Sequence, residues 1–175
     1  FDQFGLYAFG RQAEALHWNL VELAKALRLV APAESLVPAL RQWPDLLGAA
    51  VRRQALWRLG LEPAGQAHEE ALVRAFEVGL GESGVQPDRA WFDFRGGRVP
   101  ANPHAAFAPF IDQLSGFAPV AGALTHPYWG GPAPETMLIE EVEALWAPIA
   151  EADDWSALDA KLAAVRTMGD ALGAR

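Results

Sequence analysis

Glu14 and His17 stand three residues apart, a spacing that sets a carboxylate and an imidazole on one helical face, as in di-iron carboxylate sites. Such a site needs a second Glu-x-x-His pair and two further Glu from other helices. None of His68, His104 and His126 has Glu three residues before it, so the pair reads as a surface carboxylate and an interfacial imidazole. A metal-binding helical bundle built on Glu14 and His17 stays as a rival reading, with bound metal as its test. The run Gly79-Leu80-Gly81-Glu82-Ser83-Gly84 matches G-x-G-x-x-G letter for letter. A dinucleotide loop, however, needs a strand before it and a helix N-terminus after it, so that backbone N–H groups face a pyrophosphate. Here a helical pattern precedes it, Val85, Gln86 and Pro87 follow, and His104 stands where the acidic ribose ligand belongs. The run reads as a helix-terminating glycine turn.

Glu140, Glu141 and Glu143 have the composition of a metal or acid/base cluster, but they flank a strong apolar stripe and read as a solvated helix face. His126, Tyr128 and Trp129 lie in a Gly/Pro-rich loop and are the most site-like group; packing of the aromatic rings is the expectation. There is no Gly-x-Ser-x-Gly elbow, and Ser35, Ser83, Ser115 and Ser156 sit in no triad context. No catalytic, cofactor-binding or metal-binding residue is assigned within the chain.

These residues need helices to position them. Apolar spacings of three and four dominate, with no sustained alternation. A first helix is predicted over residues 12–29, striped by Leu16, Leu20, Leu23, Ala24 and Leu27 and stopped before Pro32. Residues 34–59 form two helical pieces, because Pro38 and Pro44 each remove a donor and crowd the preceding turn. Pro44 falls in the first turn of the second piece, and Gly60 caps it. A helix over 66–78 closes into Gly79. Pro87 opens a short aromatic helix with Trp91, Phe92 and Phe94 that ends at Gly96 and Gly97. A short helix over 105–114, an ordered loop over 125–134 and two long helices follow. The stripes of the last two, Leu138, Val142, Leu145, Trp146 and Ile149, then Leu158, Leu162, Val165 and Leu172, are the cleanest in the chain. Ser156 with Asp159 resembles a capping box.

A chain of 175 residues, 51% hydrophobic and 21% charged, fits a single helical domain over residues 1–175. Net charge is -8, which removes general attraction for a phosphate backbone, so no nucleic acid partner is expected. No run reaches the roughly 18 apolar residues of a membrane span, so no membrane partner is expected either. The chain has no Cys, which removes disulfides and thiolate chemistry and fits a reducing, cytoplasmic setting. It opens on Phe1, and its 2 Met stand at 137 and 168. The expectation is a piece of a longer polypeptide.

The segment Gly5-Leu6-Tyr7-Ala8-Phe9-Gly10-Arg11-Gln12, followed by Trp18-Asn19-Leu20, resembles the SelO/YdiU family of protein adenylyltransferases. Members read Gly-Arg-Tyr-(Ala)-Phe-x-Asn-Gln-Pro and then Trp-Asn-Leu. The stretch Trp91-Phe92-Asp93-Phe94-Arg95 is similar to a later aromatic segment of the family. The resemblance covers residues 1 to about 97, and the remainder more loosely. Leu6, Arg11 and Ala13 depart from the family's Arg, Asn and Pro, and the tail after about residue 119 is unlike its usual ending. These departures point to a divergent bacterial branch.

The resemblance implies a protein-kinase-like fold that transfers AMP from ATP to Ser, Thr or Tyr hydroxyls of proteins with magnesium or manganese. The family's nucleotide lysine, its Asn-Thr-Asp-Asn stretch and its Asp-Tyr-Gly stretch lie upstream of the opening motif, and none has a counterpart here. The implied fold class is therefore mainly α, the helical C-terminal part of the larger lobe of such a fold. The fragment is expected to be inactive alone and to bind no ATP or metal alone. Its expected partners are the N-terminal part of the same protein, protein substrates of the full-length enzyme, and a second copy of itself. The rival from another class is a non-catalytic helical interaction module.

Overall fold

A computed structural model describes residues 8–173. Gly5, Leu6 and Tyr7 of the opening motif therefore lie outside the described residues. Among the described residues eight α-helices follow one another: α1 (Gln12–Leu27), α2 (Ala33–Arg41), α3 (Trp43–Leu59), α4 (Gln66–Ser83), α5 (Pro87–Phe94), α6 (Ala108–Leu114), α7 (Ile139–Ala152) and α8 (Ser156–Leu172). Short 3-10 turns stand at Phe9–Arg11, Arg95–Gly97, Ala105–Phe107 and Pro127–Gly130. Among the described residues there is no strand, only an isolated bridge between Leu61 and Pro119. The mainly helical expectation holds. The chain divides into two compact units, residues 1–53 and 54–175, with the division inside α3.

In the first unit, α1 packs on α2, and the His17 ring stacks on Trp43 with centroids 6.4 Å apart. Helix α1 ends at Leu27, two residues earlier than its stripe predicts. The break between α2 and α3 falls at Gln42, and Pro38 is tolerated inside α2. Pro44 does occupy the first turn of α3, where its missing N–H costs nothing. No described side chain of this unit is buried. Leu23 is 54% and Leu46 61% exposed.

The second unit has a conventional core: Leu56, Leu59, Leu61, Leu72, Phe76, Ala90, Phe94, Phe107, Phe110 and Leu114. Phe76 on α4 is its hub, with ring centroids 4.1 Å from Trp91, 5.0 Å from Phe110 and 5.9 Å from Phe107. Gly60, at φ +63°, ends α3 as expected and turns Leu61 into this core.

The glycine run is where sequence and structure part. Helix α4 does not close at Gly79 but continues to Ser83, and the left-handed cap is Gly84 at φ +68°. Gly79 lies inside the helix because Phe107 needs the space: a Cβ there would come 2.5 Å from Phe107 Cδ1. Gly81 faces open space, with nothing within 4 Å of a Cβ. The two glycines should thus respond oppositely. Gly79→Ala is expected to destabilise by about 2 kcal/mol through overpacking, and Gly81→Ala to stabilise by up to about 1 kcal/mol by removing backbone freedom from the unfolded chain. Chemical denaturation of the two variants checks this; shifts of the same sign would refute it.

The cap of α8 also differs from expectation. Trp155 is the capping position and Ser156 the first helical residue, and the Ser156 N–H donates to Asp154 Oδ1 at 2.9 Å. The bonds from Ser156 hold the Asp154 carboxyl below its ordinary pKa. Asp159 does not close a box with Ser156, because the turn is already satisfied from Asp154 on its N-terminal side. The stripes of α7 and α8 form helices as predicted, yet neither helix contains a buried residue.

Candidate functional site

The densest polar construction in the second unit is a set of arginines laid on aromatic rings. Arg95, directly after α5, is only 6% exposed. Its Nη1 donates to the carbonyls of Trp57 and Arg58, the latter at 3.0 Å, and its Nε reaches the Ala123 carbonyl at 3.4 Å. Its guanidinium lies 4.8 Å from the centroid of Trp129. The Trp57 and Arg58 carbonyls belong to the last turn of α3, whose final four C=O groups have no partner within the helix and carry its negative dipole end. A helix terminus and a ring face thus stand in for a carboxylate. Burial, and then the nearby charge of Arg58, lower the Arg95 pKa from its ordinary value; a guanidinium nevertheless stays protonated.

Three further arginines repeat the arrangement. Arg58 pairs with Asp88 at 3.0 Å and lies over Trp91. Arg89 pairs with Asp93 at 2.6 Å, donates to the Pro132 carbonyl and lies over Phe92. Arg98 donates to the carbonyls of Phe92 and Trp129 and also lies over Phe92. The Nε atoms of Arg58 and Arg98 are buried without a protein partner. Arg58, Asp88, Trp91 and Tyr128 help to line a cavity of about 20 Å³, room for roughly one water.

The loop holding His126, Tyr128 and Trp129 packs, as expected. His126 Nδ1 accepts the Tyr128 N–H at 3.2 Å, which places its ring proton on Nε2. Tyr128 Oη accepts the Glu135 N–H at 3.0 Å, and burial raises the phenol pKa. Trp129 is 5% exposed and donates to the Ala171 carbonyl. His104 caps the Ala105–Phe107 turn in the same way, through Ala106 N–H. This capping by histidine was not foreseen; its signal is a His directly before a short 3-10 turn.

The other candidates are dispersed. Glu14 is paired with Arg11 at 3.0 Å, and that bond holds its carboxyl low. His17 is taken up by Trp43, so the Glu-x-x-His spacing assembles no ligand set. Among the described residues, no group of three or more His, Cys, Asp or Glu stands together as metal ligands. Glu141 is not a purely solvated residue: it accepts from Thr136 Oγ1 at 2.7 Å, from Leu138 N–H, and from Lys161 Nζ at 3.4 Å. The Thr136 bond leads in lowering its pKa, and the Glu135 bond leads in raising that of Lys161. Its neighbours Glu140 and Glu143 are exposed. Ser35 and Ser115 donate to nearby carbonyls, and Ser83 accepts the Val85 N–H, each closing a local turn.

The larger concavities are apolar or open. In the first unit a groove of about 380 Å³ is lined by leucines and alanines of α1 and α2, with Trp43 and Leu46 of α3. Of the Trp-Asn-Leu triplet on α1, Trp18 is 62% exposed, Asn19 donates to the Ala15 carbonyl and Leu20 lines this groove. An open hollow of about 360 Å³ runs past Gly96, Val120 and Thr125. Neither has a titratable side chain in its lining. The arginines, which have the chemistry to clamp a triphosphate, have hydrogen bonds committed to carbonyls and carboxylates. These four arginines are therefore not placed to hold ATP or its metal.

The described residues are mainly helical, and the arginines laid on rings are taken up in their packing. Compared with known families, residues 1–94 match the family model described as protein adenylyltransferase SelO. The chain belongs to the SelO family of protein adenylyltransferases. No curated protein and no solved structure matches it. The match ends at the last residue of α5, one position before Arg95. No helix among the described residues is long and apolar enough to cross a membrane.

Proposed function

We propose that these 175 residues are the helical C-terminal part of the larger lobe of a kinase-like protein adenylyltransferase. In that reading the whole protein moves AMP from ATP onto Ser, Thr or Tyr hydroxyls of proteins in the cytoplasm. The family match over residues 1–94 carries it. Metal-assisted nucleotidyl transfer depends on positioned cations and metal-holding carboxylates. In the family these belong to the lysine, Asn-Thr-Asp-Asn and Asp-Tyr-Gly stretches, which have no counterpart here, so no step is routed through residues of this chain. Their part is to support the groups supplied by the remaining polypeptide and to shape access for a protein substrate.

The test uses ATP labelled in the alpha phosphate, with magnesium or manganese and a mixed protein substrate. The chain alone is expected to transfer no label. A polypeptide that joins it to the three upstream stretches is expected to label protein hydroxyls. Transfer by the chain alone would sink the supporting role. Failure of the joined polypeptide, shown to be folded and to bind ATP, would sink the activity.

A second reading, a non-catalytic interaction module, is favoured by the exposure of Trp18, Trp146 and Trp155, each about half or more exposed. An encoding frame without the three upstream stretches would decide for it.

A further inference from the structure

Helices α7 and α8 contain no buried residue, whereas the core cluster of their unit is drawn from residues 56–114. Helix α7 packs chiefly on α8, and α8 reaches beyond that pair chiefly to the Pro127–Gly130 turn. The seat is shallow, with Val165, Met168 and Leu172 of α8 only half-buried.

Polar bonds hold the pair down, and most of them gather at the C-terminal end of α8. The final four carbonyls of a helix have no partner within it. In α8 the N–H of Gly173, at φ +69°, turns back to Gly169 and Asp170. The other two carbonyls are met by indoles from the rest of the unit. Trp129 Nε1 donates to Ala171 at 3.3 Å, and Trp57 Nε1 donates to Leu172 at 3.0 Å. Near the other end of α8, Lys161 Nζ pairs with Glu135 at 2.8 Å, ahead of α7. Its bond to Glu141 lies within the pair of helices. Met168 and Leu172 close one side of the small cavity lined by Arg58, Asp88, Trp91 and Tyr128.

We propose that α7 and α8 form a strap that lifts as one unit while the core of α4 to α6 stays closed. Segments with few buried apolar contacts open at the least cost. Glu135 is pinned to the body by its N–H bond to Tyr128 Oη, whereas Thr136 and Leu138 are bonded to Glu141 of α7. The pivot therefore falls between Glu135 and Thr136. Lifting breaks the two indole bonds and the Lys161–Glu135 pair, and opens the cavity on its Met168 side.

The experiment is hydrogen exchange of the full chain, read by mass spectrometry on peptides from each helix. Amides of α7 and α8 are expected to exchange together, about a hundredfold or more faster than those of α4. Trp57→Phe removes one indole donor at a position 39% exposed, away from the core. Lys161→Met keeps the apolar stem and removes the ion pair. Each should speed exchange in α7 and α8 by about fivefold, the worth of one net hydrogen bond, and leave α4 and α6 unchanged. Peroxide gives a second readout, because Met137 is already 55% exposed whereas Met168 lines the cavity. Trp57→Phe should hasten oxidation of Met168 and leave that of Met137 unchanged. Exchange of α7 and α8 at the rate of α4, exchange of the two helices independently of each other, variants that speed every helix alike, or an unaltered Met168 would each overturn the strap.

Discussion

Replacing Arg95 by alanine is expected to lower the unfolding free energy by about 4 kcal/mol, measured by urea denaturation followed by circular dichroism. The loss has two parts. The carbonyls of Arg58 and Ala123 lose a charged donor in a place where water does not easily replace it, at roughly 1–3 kcal/mol for unsatisfied buried groups, while the Trp57 carbonyl keeps the Gly60 N–H. The space beneath Trp129 also empties, and its lining loses dispersion contacts. Arg95→Met separates the parts, because it restores much of the volume and none of the donors; a loss of about 3 kcal/mol is expected for it. If both variants lie within about 1 kcal/mol of wild type, the guanidinium is not what closes the end of α3. Single-domain proteins have only about 5–15 kcal/mol in hand, so Arg95→Ala should also be visibly less soluble on expression.

Phe76→Ala should cost a similar amount, about 3–5 kcal/mol. The ring is 2% exposed and touches rings from α5, from the Ala105–Phe107 turn and from α6. Deleting it leaves a hole bounded by stiff aromatic groups that cannot collapse inward without leaving their rotamers. Phe76→Leu, which keeps part of the volume, should cost about 1–2 kcal/mol. Thermal unfolding read at the near-ultraviolet tryptophan bands will report the loss of fixed packing around the chain's seven tryptophans, Trp91 among them. A Phe76→Ala protein with an unchanged transition would mean that the aromatic cluster is not the core of this unit.

Local signals in the sequence proved readable where one turn of chain decides the outcome. Pro44 and Gly60 marked the two ends of α3, and Pro87 with Gly96 and Gly97 marked α5 and its exit. Where a distant residue decides, the sequence was silent. Nothing near Gly79 announces that Phe107 will press against it, so an interior glycine looked like a helix end. Glu141 looked like one of three solvated carboxylates; its leading bond comes from Thr136 nearby, and only the weaker one from Lys161, twenty residues on, lay beyond local reading. The cleanest apolar stripe, on α7, made a helix but not a buried one. Periodicity reports that a face is apolar and says nothing of what meets it. Of the arginine construction, the aromatic segment through Arg95 stood out by family resemblance alone. That the guanidinium would terminate α3 depended on contacts 37 and 38 residues apart.

The position of Arg95 bears on how the two halves of the sequence are related. The family-like stretch ends at Phe94, yet its helices α4 and α5 complete their interior with Phe107, Phe110 and Leu114, and the end of α3 is closed by Arg95. All four residues lie beyond the stretch that the family model matches. A protein truncated after residue 94 would expose Leu72 and Phe76 to water, so the matched stretch depends on the residues that follow it to close its own interior.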